Sequence, residues 1–455
     1  MTRSTADVVI CGAGIAGVAT AYHLAVRRGV KQVVLVDERA PLTLTSDKGT
    51  EAYRNWWPGP GETMVRFMNR SIDVLEELAH ESNNCFQLNR RGYVFLTANP
   101  DQVPRMRQSA AEISALGAGP VRQHPGPSPY VPSPPQGFDN VPTGADLVLD
   151  RKMIRERLPF IAEDVVGMLH VRRCGWLDAA QVGKWLLAQA QARGVRVRRD
   201  RVEKVTVAGG RIQTIHLRSG DEISTGAFVI AAGPYLQQVG AMLGLDLPVF
   251  NELHGKMAFE DASGVVPRDA PLMIWNDPLY LSWTEAERRE LAATDETRWL
   301  LEEFPAGVHF RPRGDIESPT LLVIWTYDTE PQEAVWPPTF GPHYPEVLLR
   351  GLARMIPGLA AYFGQGRRAY VDGGYYCKTR ENRPLIGPLP VEGAYVIGAL
   401  SGYGVMGSQA AGELLAAHVT GGNLPDYAPS FLLDRYEDPA YQALLANWDA
   451  SSGQL

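Results

Sequence analysis

The first forty residues alternate between short apolar runs and turns that contain glycine. An apolar run within Ala6–Cys11 predicts a buried strand and leads into the glycine spacing G-x-G-x-x-G. Residues 19–28 have helical composition, and a second apolar run over 33–36 ends on Asp37. This order of strand, glycine turn, helix and strand is typical of an α/β domain.

The middle of the chain continues with elements of both kinds. Ile72, Leu75 and Leu78 share one face at helical spacing and predict a helix over 70–81. The same approach predicts strands over 85–88 and 93–96 joined by a turn at 89–92, a loop over 125–142, a helix over 179–193, a strand over 195–197, a hairpin over 202–217 and a strand over 227–230.

The pattern changes after residue 249. The stretch up to about 368 is rich in aromatic residues, and it predicts strands over 253–259, 307–310 and 320–326 and a helix over 346–355. A buried strand over 394–398 then leads through glycines into a helix over 409–418. We therefore expect an α/β domain built from 1–84, 145–245 and 370–455, and a second domain built from 85–144 and 246–369.

The glycine motif carries the first chemical inference. Gly12 allows the tight turn, Gly14 lets backbone N–H groups approach a pyrophosphate, and Gly17 lets the helix pack closely on the strand. The helix N-terminus offers unpaired N–H groups and a positive dipole end to phosphates. Asp37, at the end of the next strand, is placed to accept hydrogen bonds from a ribose. The pattern indicates an ADP-containing dinucleotide.

Composition narrows the class of protein. The chain has 455 residues, 45% of them hydrophobic, and a net charge of −7, which does not favour a nucleic-acid surface. No apolar run approaches the roughly 20 residues of a membrane helix, and the first strand follows the N-terminus directly. The four cysteines and nine histidines form no metal-binding spacing. We expect a cytoplasmic protein without a bound metal.

Three motifs together resemble a known family. They are the N-terminal glycine motif, the turn Ala231-Ala232-Gly233-Pro234, and Arg383–Pro388 with Gly398–Gly404 near the C-terminus. The pattern resembles the D-amino-acid oxidase superfamily of FAD enzymes, in its sarcosine oxidase and glycine oxidase branch. The resemblance implies a discontinuous Rossmann-like FAD-binding domain and a substrate domain built on an antiparallel β-sheet. It covers most of 7–267 and 373–421.

The resemblance also implies which residues contact FAD. The glycine loop would hold the pyrophosphate, Asp37 the adenosine ribose, and two later loops the flavin ring. The implied contacts are Gly12, Gly14, Ile15, Ala16, Gly17, Asp37, Glu38, Arg39, Ser46, Lys48, Gly49, Thr50, Val202, Ala231, Ala232, Gly233, Gly402, Tyr403, Gly404, Val405 and Met406.

Arg54 is the strongest candidate for binding substrate. It resembles the arginine that binds the substrate carboxylate in sarcosine oxidase-like enzymes, and a guanidinium binds a carboxylate through two hydrogen bonds. The alternative is an arginine held in a structural ion pair. Lys48 and Lys378 are candidate cations near the flavin ring, and solvated surface lysines are the alternative.

Aromatic residues supply the remaining candidates. Trp56 and Trp57 could form a wall for an amine or belong to the core. Tyr376 lies on the segment that borders the active site in the family. His309, in the aromatic insert, is either a pocket residue or a structural histidine.

Two departures from the family pattern limit the inference. Met406 stands where the family has a second basic residue, which argues against tight capture of a small amino-acid carboxylate. Tyr376 stands where some members attach flavin through a cysteine, and Cys377 should face the other side of the strand. We therefore expect non-covalent FAD.

The predicted reaction is oxidation of a C–N bond in an amine or amino acid. Electrons would pass to O2 and give H2O2, and the aromatic insert favours a bulky or cyclic secondary amine. One alternative is a dehydrogenase that uses a quinone or a partner protein. An NAD(P)-dependent reductase or hydroxylase and a non-catalytic flavoprotein subunit also stay open, although no second G-x-G-x-x-G suits a nicotinamide domain. The sequence does not indicate the oligomeric state.

Overall fold

The computed structural model describes residues 2–126, 129–314, 317–365 and 369–448. The strands are β1 Arg3–Thr5, β2 Val8–Cys11, β3 Val33–Asp37, β4 Ala52–Arg54, β5 Tyr93–Thr97, β6 Val121–His124, β7 Ala145–Val148, β8 Gly167–Val171, β9 Cys174–Trp176, β10 Arg196–Arg199, β11 Val202–Ala208 and β12 Arg211–Leu217. They continue with β13 Glu222–Ser224, β14 Phe228–Ile230, β15 Phe250–Glu260, β16 Leu272–Trp275, β17 Leu279–Tyr280, β18 Glu303–Phe304, β19 His309–Pro312, β20 Thr320–Ile324, β21 Tyr370–Lys378, β22 Leu385–Pro388 and β23 Ala394–Gly398.

The α-helices lie between these strands. They are α1 Ile15–Tyr22, α2 Thr63–Glu81, α3 Gln102–Ile113, α4 Arg151–Arg157, α5 Ala179–Ala192, α6 Leu236–Ala241, α7 Glu285–Ala292, α8 Asp295–Arg298, α9 Tyr344–Met355, α10 Gly404–Thr420 and α11 Pro439–Ala446. No helix among the described residues combines the length and apolar character needed to cross a membrane.

The first sheet, called here the parallel sheet, has the strand order β10-β3-β2-β14-β23-β22 within the described residues. Pairings from β10 to β23 are parallel, and β22 joins antiparallel. One face packs on α1, which in turn contacts α5 and α10. The other face packs on the sheet β1-β13-β12-β11. Both faces are covered, which explains why these strands are nearly continuous apolar runs.

The second sheet, called here the large sheet, has the order β21-β15-β20-β19-β16-β5-β8-β7-β6 in the described part of the chain. Its strands alternate between two faces. Met257, Met273 and Val323 belong to one face, which packs with α9 in its own core. Tyr93 and Ile274 belong to the opposite face and share a core with α2 and the parallel sheet. The large sheet therefore turns one face towards the nucleotide-type domain.

Most predicted elements are confirmed, and so is the α/β fold class with its added sheet-based part. The stretch 125–142 has no helix or strand among its described residues, and Pro127 and Ser128 lie outside them. The expected domain boundary at 145 differs from the sheet pairing. Ala145–Val148 and Gly167–Val171 were assigned to the α/β domain, but both pair within the large sheet.

The predicted strand over 85–88 is wrong. Asn83, Asn84 and Gln87 all have positive φ, at 52°, 51° and 55°, which an extended strand does not allow. Asn84 Oδ1 accepts a hydrogen bond from the Leu88 N–H at 2.7 Å and closes a compact turn after α2. The apolar residues in this stretch are buried by a turn instead of a hairpin.

Candidate active site

The glycine loop between β2 and α1 has the close packing that its sequence predicts. Gly12 has φ +113°, and a Cβ there would lie 2.3 Å from the carbonyl oxygen of Ala231. A Cβ on Gly17 would lie 2.0 Å from the carbonyl oxygen of Gly12. Neither position therefore has space for a side chain, and the backbone of β14 runs directly beside the loop.

Two side chains hold the loop against its neighbours. The Ala13 N–H donates to Asp37 Oδ2 at 2.7 Å, and the Arg39 N–H donates to Asp37 Oδ1 at 2.9 Å. The Ile15 N–H, in the first turn of α1, donates to Ser46 Oγ at 2.9 Å. Asp37 thus fixes the carboxyl ends of β2 and β3 together, which is where α/β sheets bind nucleotides.

A cavity of about 450 Å³ opens at this edge of the parallel sheet. It extends from the end of β3 to the start of α10 and reaches the large sheet at Tyr375, Tyr376 and Cys377. The predicted FAD contacts that line it are Gly12, Gly14, Ile15, Ala16, Asp37, Glu38, Arg39, Ser46, Gly49, Val202, Ala231, Ala232, Gly233, Gly402, Gly404 and Val405. The predicted contacts Gly17, Lys48, Thr50, Tyr403 and Met406 do not line it.

The loop before α10 lines the cavity. Ala399 and Ser401 have positive φ, at 52° and 46°, so the backbone reverses twice before the helix begins at Gly404. A Cβ on Gly402 would lie 2.4 Å from the ring of Tyr376. The Tyr403 ring turns away instead, and its hydroxyl donates to the Asn382 carbonyl oxygen at 2.7 Å. Tyr403 therefore supports the loop from behind.

These features fit FAD. The N-terminus of α1 and the closely packed glycine turn give backbone N–H groups and space for a pyrophosphate. The N-terminus of α10 lines the same cavity beside α1, since a Cβ on Gly404 would lie 3.6 Å from the Ile15 side chain, and its positive dipole end favours negative charge on a bound group. Two helix N-termini thus border one cavity.

The face of the large sheet directed towards the cavity carries charged side chains. Glu252, His254 and Lys256 occupy alternate positions of β15 and so share one face. Their cross-strand partners on β21 are Tyr376, Gly374 and Asp372, in that order. Glu252, His254 and Lys256 were not among the candidate site residues predicted from the sequence. Their polar character at a spacing of two was the available signal, although the predicted strand over 253–259 began one residue after Glu252.

The loop over 45–51 is attached to this face by several strands. Lys256 Nζ donates to the Asp47 carbonyl oxygen at 2.7 Å, and Thr45 Oγ1 donates to the Tyr375 carbonyl oxygen at 2.9 Å. The buried Arg311 on β19 ion pairs with Glu51 at 2.9 Å and also donates to the Thr50 carbonyl oxygen. The large sheet therefore sets the position of a loop that borders the cavity.

Lys48 belongs to the same attachment. Its ammonium ion pairs with Asp372 at 2.6 Å and with Asp47 at 3.1 Å. Burial alone would lower the pKa of Lys48, but the hydrogen bonds that its ammonium donates to Asp372 and Asp47 outweigh burial and raise the pKa. The structure thus pairs this lysine with two carboxylates of the loop and sheet, and Lys48 is not among the residues that line the cavity.

Lys378 is buried and ion pairs with Glu252 at 2.9 Å. His254 Nε2 lies 3.2 Å from the same Glu252 oxygen, and the His254 ring stacks on Tyr376 with centroids 4.0 Å apart. Burial alone would raise the pKa of Glu252, but the hydrogen bonds from His254 and Lys378 hold it at about 2. Glu252 is therefore an anion, and Tyr376 connects this group to the cavity wall.

Arg54 ends β4, two residues after the cavity-lining Ala52, and is 5% exposed. Its guanidinium carbon lies 5.0 Å from the ring centroid of Trp57, and the Trp57 ring packs edge-on against Tyr403. Burial lowers the pKa of Arg54. Trp56 is also buried and belongs to the core around α2. Trp57 contacts Arg54 through its ring.

His309 begins β19 and is 3% exposed. Its Nδ1 lies 2.8 Å from the carbonyl oxygen of Gly307. Burial lowers the pKa of His309 to about 4, with smaller contributions from Arg54 and His254. His309 is thus a neutral histidine that experiences the fields of both Arg54 and His254.

Comparisons with known proteins agree with this geometry. A family model described as FAD dependent oxidoreductase (DAO) matches residues 7–418. Mitochondrial sarcosine dehydrogenase of Mus musculus is 26% identical over 274 residues, which are 58% of this chain and 26% of that protein. The chain therefore spans about a quarter of the length of this curated relative.

Solved structures share the fold over almost the whole chain. L-Proline dehydrogenase from P. horikoshii has a TM-score of 0.72 at 18% identity, covering 96% of this chain and 98% of that one. Glycine oxidase from Geobacillus kaustophilus has a TM-score of 0.71 at 17% identity, covering 96% and 99%. These likenesses show the fold, and the family model covers most of the sequence. The chain belongs to the DAO family of FAD dependent oxidoreductases.

Proposed function

We propose that this protein uses FAD to oxidise the C–N bond of an amine or amino acid and passes the electrons to O2, giving H2O2. The observation that carries the proposal is a juxtaposition along one strand. Glu51 and Ala52 line the cavity that begins at the glycine loop, and the buried Arg54 ends the same strand. A nucleotide-type site and a buried cation suited to a carboxylate therefore lie next to each other.

When bound, FAD accepts a hydride from the carbon next to the substrate nitrogen. The chain contributes binding and electrostatics. In this proposal Gly12, Gly14 and the first turn of α1 hold the pyrophosphate, and Asp37 accepts hydrogen bonds from the adenosine ribose. The loop from Ala399 to Gly402 holds the pyrimidine end of the ring, with the N-terminus of α10 behind it.

Arg54 binds the substrate carboxylate in this proposal. Two planar N–H groups fit two carboxylate oxygens, and the buried setting strengthens the attraction. The ring of Trp57 lies against the guanidinium and leaves apolar surface for the substrate carbon skeleton. A bulky or cyclic secondary amine that carries a carboxylate suits this combination of a cation and an aromatic wall.

Lys48 and Lys378 have supporting roles in the proposal. Lys48 holds the loop over 45–51 through Asp47 and Asp372. Lys378 neutralises Glu252 behind Tyr376. Both lysines thus act on groups that border the cavity, and neither is assigned a direct contact with substrate.

The proposed FAD is not covalently attached. Cys377 lines the cavity beside Tyr376, but burial raises the pKa of its thiol to about 12. The thiolate is the nucleophilic form of cysteine, and little of it exists at neutral pH under these conditions. Acid precipitation of the purified protein should leave all yellow colour in the supernatant, and colour in the pellet would contradict this part.

Anaerobic flavin bleaching tests the whole proposal. The purified protein should be yellow, and a panel of primary, secondary and tertiary amines with and without a carboxylate should include compounds that bleach it. Air should then restore the colour and produce one H2O2 for each substrate oxidised. A yellow protein that no amine bleaches would overturn the reaction, and reoxidation only by a dye or a quinone would overturn O2 as acceptor.

A further inference from the structure

The hydrogen bond of His309 fixes which ring nitrogen carries the proton. A carbonyl oxygen only accepts hydrogen bonds, so the Nδ1 that lies 2.8 Å from the Gly307 oxygen must be the N–H. Gly307 has φ +103°, a backbone region that favours glycine, and its own N–H donates to the Trp275 carbonyl oxygen at 2.8 Å. The turn is therefore held in the conformation that presents this oxygen to the ring.

The other ring nitrogen then carries a lone pair. Within the described residues the hydrogen bond of His309 is made through Nδ1, and Nε2 is not among the buried polar atoms that the fold leaves without a partner. Because the ring is neutral, Nε2 is an acceptor. An acceptor that the protein does not seal off can take a hydrogen bond from a ligand that supplies the donor.

The position of His309 matches the substrate side of the site. It pairs with Ile324 on β20, and Ile324 pairs with Lys256 on β15, so the three residues share one face of the large sheet. That is the face that carries His254 and that holds the loop over 45–51 through Lys256. Arg54 acts electrostatically on the His309 ring from β4. His309 thus shares a sheet face with His254 and Lys256 and lies within range of the Arg54 charge.

We propose that Nε2 of His309 accepts a hydrogen bond from the N–H of the substrate amine while Arg54 binds its carboxylate. This inference rests on the proposed function and makes it more specific. A primary or secondary amine supplies the N–H that Nε2 needs. A tertiary amine puts an alkyl group against the acceptor and leaves it unpaired, so the site selects against tertiary amines.

Matched ligand pairs test this selectivity in the flavin-bound enzyme. Each pair has an N–H member and its N-methyl derivative, built on L-proline, L-pipecolate and 1,2,3,4-tetrahydroisoquinoline-3-carboxylate. Dissociation constants come from the change in flavin absorbance or from calorimetry without oxygen, and reduction rates come from stopped flow. For any pair that bleaches the flavin, the wild-type protein should bind the N–H member at least about tenfold more tightly.

Variants assign the preference to His309. His309→Leu replaces the imidazole with an apolar side chain of similar size and so removes the acceptor. The two members of each pair should then bind within about threefold of each other. The change should come from weaker binding of the N–H member. The matched control is His170→Leu, because His170 is a buried histidine of the same sheet whose Nδ1 and Nε2 bond Tyr130 and the Arg91 carbonyl. The control should keep the wild-type preference.

The outcomes separate this inference from the function on which it rests. If no amine bleaches the flavin, the proposed function fails and the role of His309 fails with it. If amines bleach it but the wild type binds both members equally, or His309→Leu keeps the full preference, only the role of His309 is overturned. If His309→Leu does not retain flavin, His309→Asn replaces it, since its shorter side chain withdraws the acceptor and should abolish the preference.

Discussion

The two faces of the large sheet differ in chemistry although the same strands build them. On the face that packs with α9, Met257, Phe259 and Val323 form a continuous apolar core. On the opposite face, the neighbouring positions of the same strands carry His254 and Lys256. The first face stabilises the sheet, and the second positions charged groups at the edge of a cavity. Because successive residues of a strand point to opposite faces, one residue can pack in the core while the next carries a charged group at the cavity.

The largest expected effect belongs to the apolar face. Trp275 is 1% exposed, and Trp275→Ala should lower the free energy of unfolding by about 3–5 kcal/mol, because it leaves a cavity that the sheet cannot close. Urea denaturation measures this. The flavin spectrum of the folded fraction should stay unchanged, since the opposite face is intact. Tyr280→Ala is the control, because Tyr280 is 61% exposed and should change stability by less than about 0.5 kcal/mol.

Arg311 tests the polar face. Arg311→Met leaves the Glu51 carboxylate buried without its ion-pair partner, so stability should fall by about 3 kcal/mol. Glu51 also lines the cavity, so FAD should bind more weakly, which fluorescence titration of the released flavin measures. The double variant Glu51→Gln, Arg311→Met should recover part of both losses. Failure of the double variant to recover either one would show that the pair is not the cause.

Arg54 separates substrate binding from stability on the polar side. Arg54→Lys keeps the charge but loses the guanidinium that binds a carboxylate through two hydrogen bonds. KM for a carboxylate-bearing amine substrate should therefore rise roughly thirtyfold, which corresponds to about 2 kcal/mol of binding free energy. The same amine without its carboxylate should keep its KM. Steady-state kinetics on such a pair, for example L-proline and pyrrolidine, gives the comparison. An equal change in the KM of both substrates would show that Arg54 does not bind the carboxylate.

The last expected effect is a pH dependence at Glu252. Its pKa falls from 4.5 to about 2 on folding, so its contribution to stability is fully present above about pH 4.5 and is lost as the pH falls towards 2. Glu252→Gln should therefore lose less stability than the wild type between these pH values, because it has no carboxylate to protonate. Denaturation curves at several acidic pH values measure the difference. Parallel curves for the two proteins would contradict the assignment.

The sequence allowed the nucleotide half of the molecule to be predicted in detail. Gly12 and Gly17 fall where a Cβ would clash, as the glycine motif predicts. Asp37 was predicted to hold a ribose, which stays a prediction, and in the structure it accepts a hydrogen bond from the glycine loop. The prediction for the glycines succeeded because a local segment of backbone creates the constraint. Gly17 packs on Gly12 of the same motif, and Gly12 packs on Ala231, directly after the adjacent parallel strand. The glycine spacing is therefore enough to predict these contacts.

The polar face of the large sheet was harder to predict. Glu252 and His254 meet Lys378 only because β15 and β21, distant in sequence, pair in one register. Lys48 was expected at the flavin ring, and its pairing with Asp372 likewise depends on a strand more than three hundred residues away. A single sequence shows that such positions are polar, but register decides which of them meet.

The loop over 45–51 has a consequence for engineering this protein. Ser46 accepts from the first turn of α1, while Lys256 and Arg311 hold the same loop from the large sheet. Anyone who grafts a new substrate sheet onto this scaffold must transplant the loop with it, or redesign both sets of attachments together. A chimera that exchanges the sheet alone would leave Glu51 and the Asp47 carbonyl without the side chains that now bind them. We expect such a chimera to bind FAD more weakly.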